Sequence, residues 1–176
     1  LDEKAVSAIS PLLDASSFSG NPHRLKSNEG LSHYGTIVLG TGFLLDGAGR
    51  SQLLGRDPNA ACVIQPFVNG QDINTSPTQI SDRWCINLGG LPLEEARQRF
   101  PKIVDYLEEW VRPEREKSNR KQYREKWWLH AERQANLYES INPLHRAIAV
   151  ARTSRTVAFV FVSKGSVFTG NVIFVA

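Results

Sequence analysis

The sequence contains no methionine and only two cysteines, Cys62 and Cys85. Neither cysteine belongs to a Cys-x-x-Cys pair or lies near histidines at zinc-ligand spacing, so no metal site is expected. Two cysteines are also too few for a disulfide framework. Both sit in apolar or strand-like surroundings, Ala-Ala-Cys62-Val-Ile and Arg-Trp-Cys85-Ile-Asn. They are therefore expected to be buried free thiols, which suits a reducing cytoplasm. A chain that starts at Leu1 and has no methionine lacks an initiator, and it reads as a piece of something longer or as a processed chain. The opening LDEKAVSAIS is not a secretory signal, and no apolar run approaches the roughly 20 residues that span a bilayer.

Catalytic constellations are missing as well. His23, His33, His130 and His145 share no metal spacing, and no Gly-x-Ser-x-Gly elbow occurs. The glycines of GTIVLGTGF (35–43) do not make a dinucleotide or cofactor loop. A helix must open directly after such a loop, whereas here the chain stays apolar through Leu44-Leu45 and no glycine follows at the third fingerprint position.

What the chain does have is the composition of a folded domain: 41% hydrophobic and 22% charged residues over 176 positions, with a net charge of +3. A mildly basic balance permits a nucleic-acid partner without requiring one. Residues 1–30, with SSFSGNP and HRLKSNEG, are turn-rich and lack a period, as in an arm or linker. Residues 34–45 read as a strand with a bend at its glycines. Loops around a short helix at Ser51–Leu54 follow, then an apolar segment that ends in a turn at Asn69-Gly70, where Asp72 can cap, and a strand over 83–88. Pro92, Pro101 and Pro113 sit where helices start, and apolar residues at 93, 96, 100, 103, 107 and 110 recur at spacings of 3 and 4. One longer helix is expected from about Pro113 to Ile141. Strands are expected over 146–152, 156–163 and 171–176, with a hairpin turn at Lys164-Gly165 and the last strand left at a sheet edge. The order strand, helices, strands predicts an α+β fold, with mixed, mainly antiparallel β-sheet elements flanking a central helical segment.

The segment PEREKSNRKQYREKWWLHAER (113–133) is the most informative. On a helix at about 100° per residue, Tyr123, Trp127, Tyr138 and Ile141 fall within roughly 60° of one another as a core-facing stripe, with Leu137 nearby. Lys117, Arg120, Lys121, Arg124 and Trp128 fall on a separate basic face. Such a face can lie against phosphates, and Trp128 can pack on a sugar or a displaced base. The other reading is a solvated face held by Glu116–Arg120 and Lys121–Glu125 pairs. Arg152, Ser154 and Arg155, at a strand–strand connection, are further candidates for phosphate contact, the alternative being an ordinary polar turn, and Lys164 is a weaker one.

Taken together, LGTGFLL (39–45), PFVNGQDIN (66–74), RWCINL (83–88), RPEREKSNRKQYREKWW (112–128) and ARTSRTVAFVFV (151–162) resemble one family in order and kind. The chain looks like the target-recognition domain of MmeI-type (type IIL, related to type IIG) restriction-modification enzymes, over roughly residues 30–176. These are prokaryotic chains that carry an N6-adenine methyltransferase domain, usually joined to a nuclease. Thr41 stands where that family often has methionine between its glycines. The resemblance implies a non-catalytic part, residues 31–176, that reads double-stranded DNA while the target adenine is flipped into an upstream domain of the same chain. It implies no cofactor here and S-adenosyl-methionine in that upstream domain, with residues 1–30 as the connection to it. Asn21-Pro22-His23 begins like the Asn-Pro-Pro-aromatic catalytic motif, but it lacks the second proline and the aromatic and follows no apolar strand. The resemblance also implies that the recognition domain continues past residue 176. A protein-interaction or scaffold domain between catalytic domains is the competing reading, in which the basic face would meet an acidic protein surface.

Overall fold

The computed structural model describes residues 3–6, 23, 26–155 and 157–175. Most of the expected arm over 1–30 therefore lies outside the described residues, as do Thr156 and Ala176 at the ends of two expected strands.

The first strand, β1, is short, Ser32–Tyr34. The strand expected over 34–45 is broken, because Leu39 and Gly40 take φ values of 46° and 119° and turn the chain. It recovers in a 3-10 turn at Thr41–Phe43 and a two-residue strand, β2, Leu44–Leu45. Helix α1 runs Gly47–Arg56, longer than expected. Its glycines cost helix propensity, but Asp46 caps it by accepting from Gly49 N at 2.7 Å. Strand β3 (Ile64–Val68) leads into helix α2 (Gly70–Thr75) where a turn was expected. Asn69 accepts from the backbone of Gln71 and Asp72, and Asp72 returns the bond by accepting from Asn69 N at 2.8 Å. This reciprocal capping turns the tight turn into a helix start. Strand β4 (Trp84–Ile86) lies inside the expected 83–88.

Prolines mark the helices as expected. α3 is Leu93–Arg99 after Pro92, α4 is Pro101–Trp110, and α5 is Arg112–Glu116 with Pro113 in its first turn. The single helix expected from Pro113 to Ile141 does not form. It is replaced by α5, α6 (Lys121–Glu125) and α7 (Ala135–Ile141). The breaks fall at Arg120, which is extended, and at Gln134, which is left-handed at φ 53°. Ser118-Asn119, which favours local side-chain bonding over helix, precedes the first break. The larger cause is tertiary. Trp127 and Leu129 are buried in one core, and Leu137 and Ile141 in another. A straight helix over that span would be roughly 43 Å long and could not bend its one stripe into both cores.

Four strands complete the chain: β5 (Arg146–Ala151), β6 (Phe159–Ser163), β7 (Val167–Phe168) and β8 (Val172–Val175). They enter two four-stranded sheets, ordered β2-β4-β3-β7 and β1-β8-β5-β6. All pairings are antiparallel except β3 with β7. The fold is α+β with mainly antiparallel sheets, as the sequence predicts. The hairpin expected at Lys164-Gly165 is not made. The chain leaves β6 and crosses to the first sheet as β7, then returns to the second as β8. Nor is β8 an edge: it pairs with β1 on one side and β5 on the other.

The crossing strand joins the two cores through the two-residue alternation of β structure. Val167 packs into the core beneath α1, α3 and α4, and its neighbour Phe168 into the core beneath α2 and α7. Phe67 and Val68 on β3 divide in the same way. Alanines 147, 149 and 151 on β5 leave room for α2, where a Cβ on Gly70 would stand 3.2 Å from the Ala151 methyl. Cys85 is buried as expected, but Cys62 is exposed, because the 3-10 turn Pro58–Cys62 turns its last side chain outward.

Candidate nucleic-acid interface

Lys117, Arg120, Lys121 and Arg124 are all exposed, around the break between α5 and α6. They are not a ladder on one helix. They are gathered by a turn that a buried arginine anchors. Arg115 is 1% exposed, lies 5.8 Å from the Phe43 ring and 5.4 Å from the Tyr123 ring, and donates from Nη2 to the carbonyl of Leu129. Burial lowers its pKa from the usual arginine range. Its guanidinium fastens α5, α6 and the 126–130 segment to one another, and this sets where the neighbouring cations point.

Those cations are lightly engaged. Arg120 donates to Tyr123 Oη at 2.6 Å and lies 3.8 Å from Glu132. Arg124 donates to the Ser118 carbonyl at 2.6 Å, and Lys121 pairs with Glu125 at 3.5 Å. The expected Glu116–Arg120 pair is absent, since Glu116 accepts from Arg112 instead. Such exposed pairs contribute about 0–1 kcal/mol and exchange readily for another anion. The Lys117 side chain has no hydrogen bond or ion pair among the described residues. Trp128 is half-buried and donates its indole N–H to the Leu91 carbonyl at 2.9 Å. Its ring packs on the core at an angle of 78° to Trp127, so it supports the segment more than it presents a stacking face.

Arg152, Ser154 and Arg155 occupy the β5–β6 connection and are exposed. The connection is held from three sides. Arg152 N donates to the Asn171 carbonyl at 2.8 Å, Asn74 Nδ2 donates to Ser154 Oγ at 3.1 Å, and the Arg152 guanidinium lies 5.3 Å over the Tyr34 ring. Asn74, Asn171 and Tyr34 carried no signal in the sequence, because each meets its partner only through the fold. Lys164 lies at the opposite end of β6, where it donates to the Asn142 carbonyl at 2.7 Å and so caps α7. It does not share a patch with Arg152.

The two remaining groups of cations flank one stretch of chain. Tyr34 lies under Arg152. Ile37 exchanges backbone hydrogen bonds with Glu132, which neighbours Arg120. Three residues from Tyr34 to Ile37 reach at most about 10 Å. Through these contacts each cationic group neighbours one end of the same short segment.

No group of three or more metal-ligating side chains comes together among the described residues, and none of their helices is long and apolar enough to cross a membrane. Cys85 Sγ lies 3.4 Å from His130 Nε2, which suggests a thiol–imidazole pair. However, burial pushes the thiol pKa up and the imidazole pKa down to about 4, so neither forms its ion. The Ile86 carbonyl, 2.8 Å away, can only accept, so Nε2 carries the proton. A cleft of about 510 Å³ between α1 and α4 is lined by Arg56, Lys102, Asp105, Tyr106, Glu109 and Trp110, with the charges balanced.

No family model matches the sequence, and no curated protein matches it. Among solved structures, the chain matches the type IIL restriction-modification enzyme MmeI, determined in complex with DNA, at 18% identity and a TM-score of 0.64. The fold is shared with part of that enzyme. The match takes in 82% of this chain but only 19% of the MmeI chain. At that identity the likeness speaks for architecture and not for any single side chain.

Proposed function

We propose that this chain is a DNA target-recognition module of a site-specific N6-adenine methyltransferase or restriction-modification enzyme, cytoplasmic and not itself catalytic. The observation that carries the reading is the shared fold, over most of the chain, with an enzyme solved on DNA. The sequence motifs support the same family independently. The electrostatics agree: Lys117, Arg120, Lys121 and Arg124 around the α5–α6 break, and Arg152 and Arg155 on the β5–β6 connection, are exposed, and the ion pairs of Arg120 and Lys121 are long, at 3.8 and 3.5 Å. Phosphate contacts of this kind set register and orientation, and base-edge contacts then read the sequence. Methyl transfer would require S-adenosyl-methionine held by another part of the enzyme.

The test is fluorescence anisotropy of the 176-residue chain with duplex DNA across a salt series. Binding should weaken linearly in log–log form. Replacing Arg120, Lys121 and Arg124 by Ala should flatten that slope by up to roughly 2.7, at about 0.9 for each phosphate no longer neutralised. A triple variant that keeps its circular dichroism spectrum and its full DNA affinity would remove this segment from the interface.

A further inference from the structure

Among the described residues, helices cover the second sheet on one side only. Ala147, Ala149, Val162, Val172 and Phe174 face α2 and α7 and are buried. The other side is open. Strand register sets Phe159, Val150, Ile173 and Tyr34 in one row and places Phe161, Ile148 and Val175 in the next. Phe159 is 63% exposed, Phe161 53% and Tyr34 52%, although all lie on regular strands. Four strands at about 4.8 Å make this apolar face roughly 14 Å wide. A contiguous patch of that kind marks an interaction site in a stable protein.

Its charge is one-sided. Residues 146–175 contain Arg146, Arg152, Arg155 and Lys164 and no Asp or Glu. Arg146 lies 3.8 Å over the Phe161 ring at one corner, and Arg152 lies 5.3 Å over Tyr34 at the opposite corner. An aliphatic centre with aromatic and arginine edges is the composition of a protein interface. A second copy of this chain would bring those arginines against their own kind. A single-stranded nucleic acid would find aliphatic side chains in the middle strands, where bases need π faces, and a guanidinium already over Phe161.

We propose that the outer face of the β1-β8-β5-β6 sheet docks a protein surface with an apolar centre and a carboxylate at the Arg146 corner, on another part of the same enzyme, with Arg152 left to DNA. The proposal rests on the recognition-module reading. It draws support from the length of the MmeI chain outside the match, which covers only 19% of that chain and leaves ample protein to supply such a surface.

Hydroxyl-radical footprinting with mass spectrometry tests it, on the 176-residue chain and on the polypeptide translated from the complete reading frame, both without DNA. Tyr34, Phe159 and Phe161 should be oxidised in the shorter chain and protected at least several-fold in the longer. Arg146→Glu should lower the melting temperature of the longer polypeptide by more than that of the 176-residue chain. Equal oxidation in the two overturns the proposal. So does protection that appears only when duplex or single-stranded DNA is added, or protection of the shorter chain that grows with its own concentration. Phe159→Ser with Phe161→Ser should leave duplex binding by the 176-residue chain unchanged, and a loss of binding places DNA on this face instead. If the unaltered chain fails to bind duplex at low salt while the DNA-free footprint difference persists, the recognition reading falls and the docking surface stands.

Discussion

Replacing His130 by Phe should change the pH dependence of stability in a way that no surface histidine would. His130 is 6% exposed and packs edge-on against Phe43, with ring centroids 5.1 Å apart. Burial, more than the nearby Arg115 and Arg133, lowers its pKa from 6.5 to about 4. The folded state therefore refuses a proton that the unfolded chain accepts. The stability attached to neutral His130 is present above pH 6.5, is lost as pH falls from there toward 4, and is flat below. The full difference is roughly 3 kcal/mol, with about 2 kcal/mol already gone by pH 5. His130→Phe keeps the ring packing but removes the N–H that the Ile86 carbonyl accepts at 2.8 Å, at a pH-independent cost of about 1–3 kcal/mol. The wild type should be the more stable at pH 7, and the gap should narrow by about 2 kcal/mol at pH 5. Urea unfolding followed by tryptophan fluorescence measures both, and the carboxylates common to the two proteins cancel. A gap that stays constant between pH 7 and pH 5 would refute the assignment of a buried neutral imidazole.

Cys62 is exposed and Cys85 buried, so an aromatic disulfide reagent should titrate one thiol in the native chain and two in denaturant. Asn69→Ala removes the acceptor for two backbone N–H groups at the start of α2 and should cost about 1 kcal/mol in chemical denaturation. Gly35→Ala would drive its methyl into the Thr169 backbone, where β1 meets the crossing chain. It should lower stability by several times that amount or prevent folding, read by soluble yield and thermal melting, whereas Gly55→Ala, with open space at its Cβ, should be neutral or stabilising.

Much of this protein was legible locally. Proline positions predicted the starts of α3, α4 and α5, because a residue with no N–H and a fixed φ suits the first helical turn wherever the chain goes. The apolar runs that became β5, β6 and β8 were visible as strands, as was the α+β order. Leu39-Gly40 was harder: positive φ at both residues divides the expected 34–45 strand, and a Cβ at Gly40 would stand 3.3 Å from both Val111 and Phe43.

What the tertiary structure decided was how one sequence period serves two cores. Residues 113–141 have a helical stripe, yet Trp127 belongs beneath α4 and Leu137 beneath the second sheet, and the chain breaks its helix to reach both. The same holds for Val167-Phe168. Two apolar residues after a glycine turn look like the return of a hairpin, and only the vacant edge beside β3 makes them a crossover. The cations were nameable from sequence because charge and exposure are local properties. Their grouping was not, because Arg152 meets Tyr34 only after strands distant in sequence have paired, and Arg120 meets Glu132 only after the helix expected between them has broken. Composition and local pattern thus determined the elements and the candidate residues. The competition of two cores for the same segments determined which elements survived and which cations share a surface.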